Sequence, residues 1–187
     1  MRFFIALEIP NQSRQSLKIV QQKLKDIIPE VHLTDPNELH LTIAFIGEQP
    51  DNFVEDFKKV INKAVLGISP FQIIPAYIDG FPNIHHPHTL WAGVKGDIDK
   101  LFVLRERIKD GFVELGLYMD ERRYIPHIAM GKINSSYDLS IKQEALLQEI
   151  AVKEDFGPVQ ITSIKLFESI PEEGFHKQNT LAEVHLQ

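Results

Sequence analysis

Apolar residues recur along this chain with two spacings, and the two spacings predict its secondary structure. A period of two is typical of a strand with one buried face, whereas spacings of three and four are typical of an amphipathic helix. Strands are predicted at 2–9, 31–34, 38–47, 71–81, 89–94, 127–132, 159–167 and 180–186. Helices are predicted at 11–28, 51–64, 98–115 and 140–151, and loops at 82–88 and 170–177.

The order and polarity of these elements favour an α+β fold. No glycine-rich phosphate loop of the Rossmann or Walker kind joins a strand to a helix. The strands mostly alternate apolar and polar residues, whereas strands of parallel doubly wound sheets are continuously apolar. We therefore expect antiparallel sheets with one face under helices and the other facing a cleft. No linker rich in Pro, Gly or Ser divides the 187 residues, so residues 1–187 are expected to form one bilobal domain.

The third predicted strand carries the first candidate chemistry. Its alternation places Leu41, Ile43 and Phe45 on the face that is expected to be buried. His40 and Thr42 then lie on the open face, ~7 Å apart along the strand. Histidine and threonine are both ordinary on half-exposed strands, so this segment alone favours a purely structural role over catalysis.

A second histidine in a similar segment strengthens the functional interpretation of His40. His127 also begins a short strand-like run, and a small residue, Ala129, follows two places later. Two such histidines, in separate halves of one domain, suggest a paired acid and base, because the imidazole pKa lies near neutrality. Such a pair can split a phosphodiester without a metal if nearby donors hold the non-bridging phosphate oxygens. The Thr42 hydroxyl is one such donor.

Composition narrows the classes of partner. The 20 Lys and Arg residues and 26 Asp and Glu residues give a net charge of −6. Proteins that wrap long nucleic acids are usually basic, although a local basic pocket can still bind a nucleic-acid end. The absence of cysteine excludes disulfides and thiolate chemistry. The apolar start is too short for a signal peptide, and no run is long enough to span a membrane, so a cytoplasmic location is expected.

Two other groups of residues have a structural and a functional interpretation. His85, His86 and His88 lie in a proline-containing loop without a carboxylate at helical spacing. A polar loop is therefore expected there, and no metal site. Phe81 or Trp91 could stack on a nucleobase, but Trp91 lies in an apolar strand and is expected in the core.

The paired histidine segments resemble a known family. Residues 40–43 and 127–130 are similar to the twin His-x-Thr/Ser-x motifs of the two-histidine (2H) phosphoesterase superfamily. The most similar branch is the RNA 2',3'-cyclic phosphodiesterases, formerly described as 2'-5' RNA ligases. The resemblance extends through nearly the whole chain and includes residues 2–7, 39–47, 90–94 and 123–127.

This resemblance implies a fold, a reaction and roles for both histidines. It implies two pseudo-symmetric lobes whose antiparallel sheets face a central cleft, with helices on the outer faces. It also implies that a 2',3'-cyclic phosphate is opened to leave a 2'-phosphate, with His40 as the acid and His127 as the base. RNA 3' ends or small cyclic nucleotides are the implied partners. No cofactor and no metal are expected, and the chain is expected to be a monomer.

One residue departs from the family pattern. Ala129 stands where the family usually has Thr or Ser, so half of the expected phosphate clamp is missing. Backbone N–H groups, Lys132, Arg122 or Arg123 could replace it, although for either arginine a solvated surface charge is the favoured interpretation. The alternatives are weak activity, another cyclic phosphate substrate such as an ADP-ribose type metabolite, or a degenerate member that binds RNA ends or protein. Retention of both histidines favours an enzyme.

Overall fold

The computed structural model describes residues 1–120, 122–134, 136–173 and 175–187. It confirms the predicted α+β class, with helices and strands at nearly all of the expected places. In chain order the elements are β1 (Arg2–Glu8), α1 (Asn11–Ile27), β2 (His32–Leu33), β3 (His40–Glu48), α2 (Val54–Ala64), β4 (Phe71–Phe81), β5 (Thr89–Gly96), α3 (Ile98–Glu114), β6 (His127–Lys132), α4 (Ile141–Lys153), β7 (Val159–Ile161), β8 (Ser163–Glu172) and β9 (Phe175–His185). Short 3₁₀ turns lie at Pro36–Glu38 and Asp51–Phe53.

The strands form two antiparallel halves that meet along one seam. The order is β7-β4-β5-β6-β3-β1-β8-β9, with β2 added to β6. One half therefore consists of β7, β4, β5 and β6, and the other of β3, β1, β8 and β9. The halves join where β6 lies beside β3, and the backbone pair recorded there is Leu41 with Ile128. We call these two residues the seam pair.

One face of the sheet holds the main hydrophobic core. Both residues of the seam pair are completely buried in it, together with apolar residues from all four helices. The hydrophobic stripes predicted for the helices are therefore the surfaces that cover the sheet. A second, small cluster of Phe4, Ala6 and Phe167 lies apart from this core. Within the described residues, no helix is long and apolar enough to cross a membrane.

A β-bulge in β3 overturns the expected burial of Phe45. The register of β3 against β1 slips by one residue at Ile43, so Ile43 and Ala44 are consecutive buried residues. A bulge of this kind inserts one residue and reverses the alternation beyond it. Phe45 consequently lies 69% exposed, with its ring 6.1 Å from that of Phe4. The prediction of a buried Phe45 was wrong because a strict period of two contains no bulge.

The predicted loop at 170–177 is instead the end of a long hairpin. Ile170 pairs with Lys177, and Pro171 pairs with His176, so the strands β8 and β9 continue almost to the turn. Gly174 lies outside the described residues. The proline is tolerated because the recorded pairing of β8 with β1 ends at Glu168, which leaves Pro171 in an edge position. This hairpin extends beyond the main sheet.

The seam pair gives a first prediction about stability. Replacing a buried leucine by alanine removes apolar contacts and leaves a cavity, so Leu41→Ala should lower the free energy of unfolding by about 2–5 kcal/mol. Leu66 is 61% exposed, and Leu66→Ala should change it by less than about 0.5 kcal/mol. Urea titration followed by circular dichroism measures both values. Equal effects of the two substitutions would contradict a buried seam.

Candidate active site

The seam pair places the motif residues of both halves on one face. Because its two side chains point into the core, their neighbours His40, Thr42, His127 and Ala129 point to the opposite face. Continuing the antiparallel pairing by one residue in each direction sets Thr42 opposite His127, and His40 opposite Ala129. The two histidines are then diagonal neighbours, with about 7–8 Å between positions. The structure thus brings together the four motif residues that the sequence indicated.

Both histidines are oriented by the same kind of hydrogen bond. Nδ1 of His40 lies 2.8 Å from the carbonyl oxygen of Glu38, and Nδ1 of His127 lies 2.7 Å from that of Ile125. In each case the carbonyl belongs to the residue two places earlier. Since a carbonyl oxygen can only accept, Nδ1 is the protonated nitrogen in both rings. Nε2 is therefore the nitrogen of each histidine that is left for proton transfer.

Aromatic rings from the next two strands flank His40. The Phe4 ring of β1 lies 5.2 Å from the imidazole, and the Phe167 ring of β8 lies 6.4 Å from it. The two phenyl rings stack on each other at 5.0 Å. These side chains belong to the second hydrophobic cluster of the fold, so that cluster supports the first histidine.

The corresponding aromatic pair in the other half flanks His127. Phe81 of β4 lies 4.9 Å from the His127 ring, Trp91 of β5 lies 5.6 Å from it, and the two aromatic rings stack at 4.8 Å. Trp91 is 4% exposed, as its apolar strand predicted, but it packs beside the candidate site. Among the described residues, its indole N–H is the buried side-chain polar group without a hydrogen-bond partner.

Burial determines the charge state of both imidazoles. Desolvation is the largest cause and lowers the pKa of His40 and of His127. The hydrogen bond to the backbone carbonyl opposes this shift in each ring, because the charged form donates more strongly. The positive charge of His127 lowers the pKa of His40 further. Both rings are therefore mainly neutral near pH 7, and each proton added to the pair makes the next less favourable.

A cavity of about 590 Å³ opens beside Thr42 and His127. Its described lining includes three arginines and one aspartate, so the cavity is locally positive although the chain is acidic. Phe45 also lines it, because the bulge in β3 turns this ring outward. The remaining lining residues are Ile43, Phe81, Met119, Tyr124 and Ile125. The cavity can therefore hold an anionic group together with a flat ring.

Arg105 of α3 fixes the wall of this cavity. Its guanidinium donates to the carbonyl oxygen of Ile43 at 2.7 Å and to that of Asp120 at 3.2 Å. It also lies 4.6 Å over the ring of Tyr124, whose hydroxyl donates to the carbonyl oxygen of Thr42 at 2.8 Å. These bonds tie the segment before β6 to β3. Desolvation raises the pKa of Tyr124, so this hydroxyl stays protonated as a donor.

The three cations that the sequence nominated have different positions. Arg122 lines the cavity and bonds Asp120 at 2.6 Å, which holds the pKa of that carboxyl below its usual range. Arg123 also lines the cavity, and within the described residues it has no hydrogen-bonding or ionic partner. Lys132 lies exposed at the end of β6, beside His32 of β2, and does not line the cavity. The structure thus brings the two arginines, but not the lysine, to the cleft.

The histidine-rich loop has carboxylate partners on the neighbouring segment. Nδ1 of His85 lies 2.6 Å from Glu144, and His86 contacts Asp138. Across the part of the chain that the structure describes, no group of three or more His, Asp or Glu side chains is arranged to hold a metal. The loop is thus fixed by side-chain contacts to Glu144 of α4 and to Asp138, which precedes that helix.

Sequence patterns missed Phe45, Arg105 and Gln178. Phe45 depends on the bulge, and Arg105 is one polar residue on an amphipathic helix, where its only signal is its position beside the apolar stripe. The Gln178 amide lies 2.8 Å from Nδ1 of His40. The two residues are 138 positions apart, and no local pattern links them.

Comparison with protein families gives one match over most of the chain. Residues 29–170 match the model of the 2'-5' RNA ligase superfamily. A protein named RNA 2',3'-cyclic phosphodiesterase from Methanocaldococcus jannaschii is 28% identical over 169 residues, covering 90% of this chain and 91% of that protein. A protein of the same name from Thermotoga maritima is 25% identical and covers 86% of this chain and 81% of that protein.

Solved structures share the fold at lower sequence identity. The protein TT0787 of Thermus thermophilus superposes with a TM-score of 0.80 at 20% identity, covering 100% of this chain and 98% of that one. E. coli LigT complexed with 3'-AMP superposes with a TM-score of 0.77 at 18% identity, covering 99% and 97%. The bilobal arrangement is therefore shared with these proteins.

The depressed histidine pKa values make stability depend on pH. Because the folded protein binds fewer protons than the unfolded chain near and below pH ~6.5, its free energy of unfolding should fall as the pH drops through this range. Replacing both histidines by glutamine should remove part of this dependence. Urea titrations at about pH 7.5 and about pH 5.5 measure the difference, and NMR titration of the imidazoles measures each pKa. A wild-type imidazole that titrates well above pH ~6.5 would contradict the burial argument.

Proposed function

This chain belongs to the 2'-5' RNA ligase superfamily, and from this membership and the geometry of the cleft we propose that it hydrolyses 2',3'-cyclic phosphate ends of RNA or nucleotides to 2'-phosphates. The observation that carries the proposal is the matched pair of Nδ1–carbonyl bonds, which leaves one Nε2 on each side of the seam. The names of the relatives from M. jannaschii and T. maritima support the same reaction. Both histidines come from one chain, so a monomer within the single domain 1–187 suffices.

The reaction requires one proton donor and one proton acceptor on opposite sides of phosphorus. In the proposed mechanism His127 takes a proton from water as the water oxygen bonds to phosphorus. His40 donates a proton to O3' as the P–O3' bond breaks, which leaves a 3'-hydroxyl and a 2'-phosphate. Because a charge on one imidazole disfavours a charge on the other, the pair can take up a single proton and exist with one ring protonated and one neutral. Transfer of the proton gained by His127 back to His40 through solvent returns the pair to its starting state.

The phosphate oxygens need hydrogen-bond donors while negative charge develops. Thr42 lies opposite His127 on the cleft face, where its hydroxyl can donate to a non-bridging oxygen. Ala129 offers no such group. Arg122 and Arg123 line the adjoining cavity, and a planar guanidinium suits phosphate oxygens. With proton transfer and charge stabilisation both supplied by side chains, the mechanism has no step that requires a metal or cofactor.

The cavity supports a nucleoside as the group attached to the phosphate. Phe45 presents an exposed ring on its wall, and exposed aromatic rings stack on unpaired bases. A structural relative, E. coli LigT, has been crystallised with 3'-AMP, a nucleotide with its phosphate at this end of the ribose. We therefore propose RNA 3' ends or small cyclic nucleotides as substrates, and the cytoplasm as the location of the reaction.

Both histidines should be required for turnover. Removal of a general acid or base costs about 10²–10⁴-fold, so His40→Ala and His127→Ala should each lower kcat for a 2',3'-cyclic nucleotide by that factor. His32, exposed on β2, is the matched control, and His32→Ala should retain the wild-type rate. Retention of wild-type kcat by either cleft variant would overturn the mechanism.

Loss of wild-type activity in EDTA, restored by a divalent cation, would assign the chemistry to a metal.

Ala129→Thr should raise activity, because it restores a donor on the cleft face. Hydrogen bonds to charged groups contribute roughly 1.5–3 kcal/mol, which corresponds to about 10–100-fold in kcat/KM when the bond forms in the transition state. Ala129→Val is the matched control, since valine has the shape of threonine without its hydroxyl.

Conversely, Thr42→Ala should reduce kcat/KM, because it removes the remaining motif hydroxyl.

The comparison of Thr with Val separates the hydroxyl from the added volume. Ala129 pairs with Trp91 across β5 and β6, so any larger side chain must fit beside that ring. An Ala129→Thr variant that is no faster than Ala129→Val would rule out a vacant donor position. Thermal unfolding of each variant establishes that the measured rates belong to folded protein.

A further inference from the structure

Nδ1 of His40 has one polar side-chain contact that Nδ1 of His127 lacks among the described residues, and that contact comes from the β8–β9 hairpin. The side-chain amide nitrogen of Gln178 lies 2.8 Å from Nδ1 of His40 and 3.1 Å from the carbonyl oxygen of Glu38. The main-chain N–H of Gln178 also points to the Glu38 carboxylate, at 3.4 Å. Among the described residues, no side-chain polar group lies at a corresponding distance from Nδ1 of His127, whose recorded partner is the Ile125 carbonyl.

His40 Nδ1, the Glu38 carbonyl oxygen and the Gln178 amide nitrogen form a closed cluster in which both nitrogens donate to the one oxygen. The Glu38 carbonyl has two lone pairs, so it can accept from the His40 Nδ1–H and from the Gln178 amide at once. The amide thereby holds the carbonyl that aligns the imidazole. Because the amide presents its N–H side to the ring, it offers no second acceptor to a protonated His40.

We propose that Gln178 is a positioning residue for His40, which fixes the direction of its imidazole and keeps the number of acceptors around Nδ1 at one. This inference rests on the proposed function for its effect on turnover, but the geometry of the cluster does not depend on the substrate. The hairpin extends beyond the sheet, and its second strand contacts the 3₁₀ turn that carries Glu38. Its role is therefore to complete one of the two histidine sites.

The two carboxylates near His40, those of Glu8 and Glu38, already have partners of their own. Glu8 lies opposite His40 in the β1–β3 register, and its carboxylate bonds Arg14 at 3.4 Å and also contacts Lys165. The Glu38 carboxylate accepts from the Gln178 main chain, and His127 lies across the seam. The aromatic rings that flank His40 carry no charge. Within the part of the chain that the structure describes, substitution at position 178 therefore changes the one polar side chain recorded in contact with Nδ1.

Gln178→Glu tests the proposal through the protonation of His40. The carboxylate supplies a second acceptor for Nδ1–H and stabilises the imidazolium, so the NMR-measured pKa of His40 should rise by about one unit or more. Asn179→Asp is the matched control, because it adds the same charge one residue further along, where Asn179 instead bonds Glu168 at 3.3 Å. That variant should shift the His40 pKa by less than about 0.3 unit.

Gln178→Leu tests orientation, because leucine preserves apolar bulk but cannot hydrogen-bond. It should lower kcat by about tenfold or more while KM for a 2',3'-cyclic nucleotide changes little, since a misdirected acid affects the chemical step. Equal His40 pKa values in wild type and Gln178→Glu would overturn the proposal, as would an unchanged kcat in a folded Gln178→Leu variant. The NMR titration uses no substrate, so it stays decisive even if wild type fails to hydrolyse cyclic phosphates.

Discussion

The antiparallel contact between Leu41 and Ile128 is the constraint on which the rest of the site depends. Side chains alternate along a strand, so this one buried pair determines which residues of β3 and β6 face the core and which face the cleft. A slip of one residue in either strand would bury a histidine and expose a leucine or isoleucine. The hydrophobic cost of such a slip holds both imidazoles on the same face.

Much of this arrangement could be predicted, because it depends on local periodicity. The spacing of apolar residues predicted the four helices, and the alternation around His40 and His127 predicted the faces of the motif strands. Periodicity failed at the bulge in β3, where β3 has one residue more than the paired segment of β1. The extra residue reverses the alternation beyond it and exposes Phe45. Periodicity also failed for the hairpin, where Pro171 suggested a loop although an edge position tolerates proline. The contact of Gln178 with His40 depends on tertiary packing, so no local pattern contains it.

The histidines and the arginines of the cleft differ in their exposure to water, and this difference affects their charges differently. The aromatic pairs that flank His40 and His127 exclude water and disfavour the charged imidazole, whereas Arg122 and Arg123 are exposed at the cavity. Neutral rings near pH 7 can accept protons, and a positive wall attracts an anion without a positive net charge on the chain. An acidic protein can thus present a cationic site because the sign of the local field depends on a few side chains.

The bonds that cross from the segment before β6 to β3 have a consequence for the width of the cleft. The recorded backbone pairing between the halves is short, whereas Arg105 and Tyr124 reach across to the carbonyl oxygens of Ile43 and Thr42. These side-chain hydrogen bonds hold the two halves of the sheet at their distance from each other. The backbone pairing of β3 with β6 determines their register. Replacing Arg105 or Tyr124 by a longer or shorter side chain would therefore act on the width of the cleft, whereas the pairing of Leu41 with Ile128 would still align the two motif strands. The width of the cleft and the alignment of its two motif strands thus rest on different contacts, one set made by side chains and the other by the backbone.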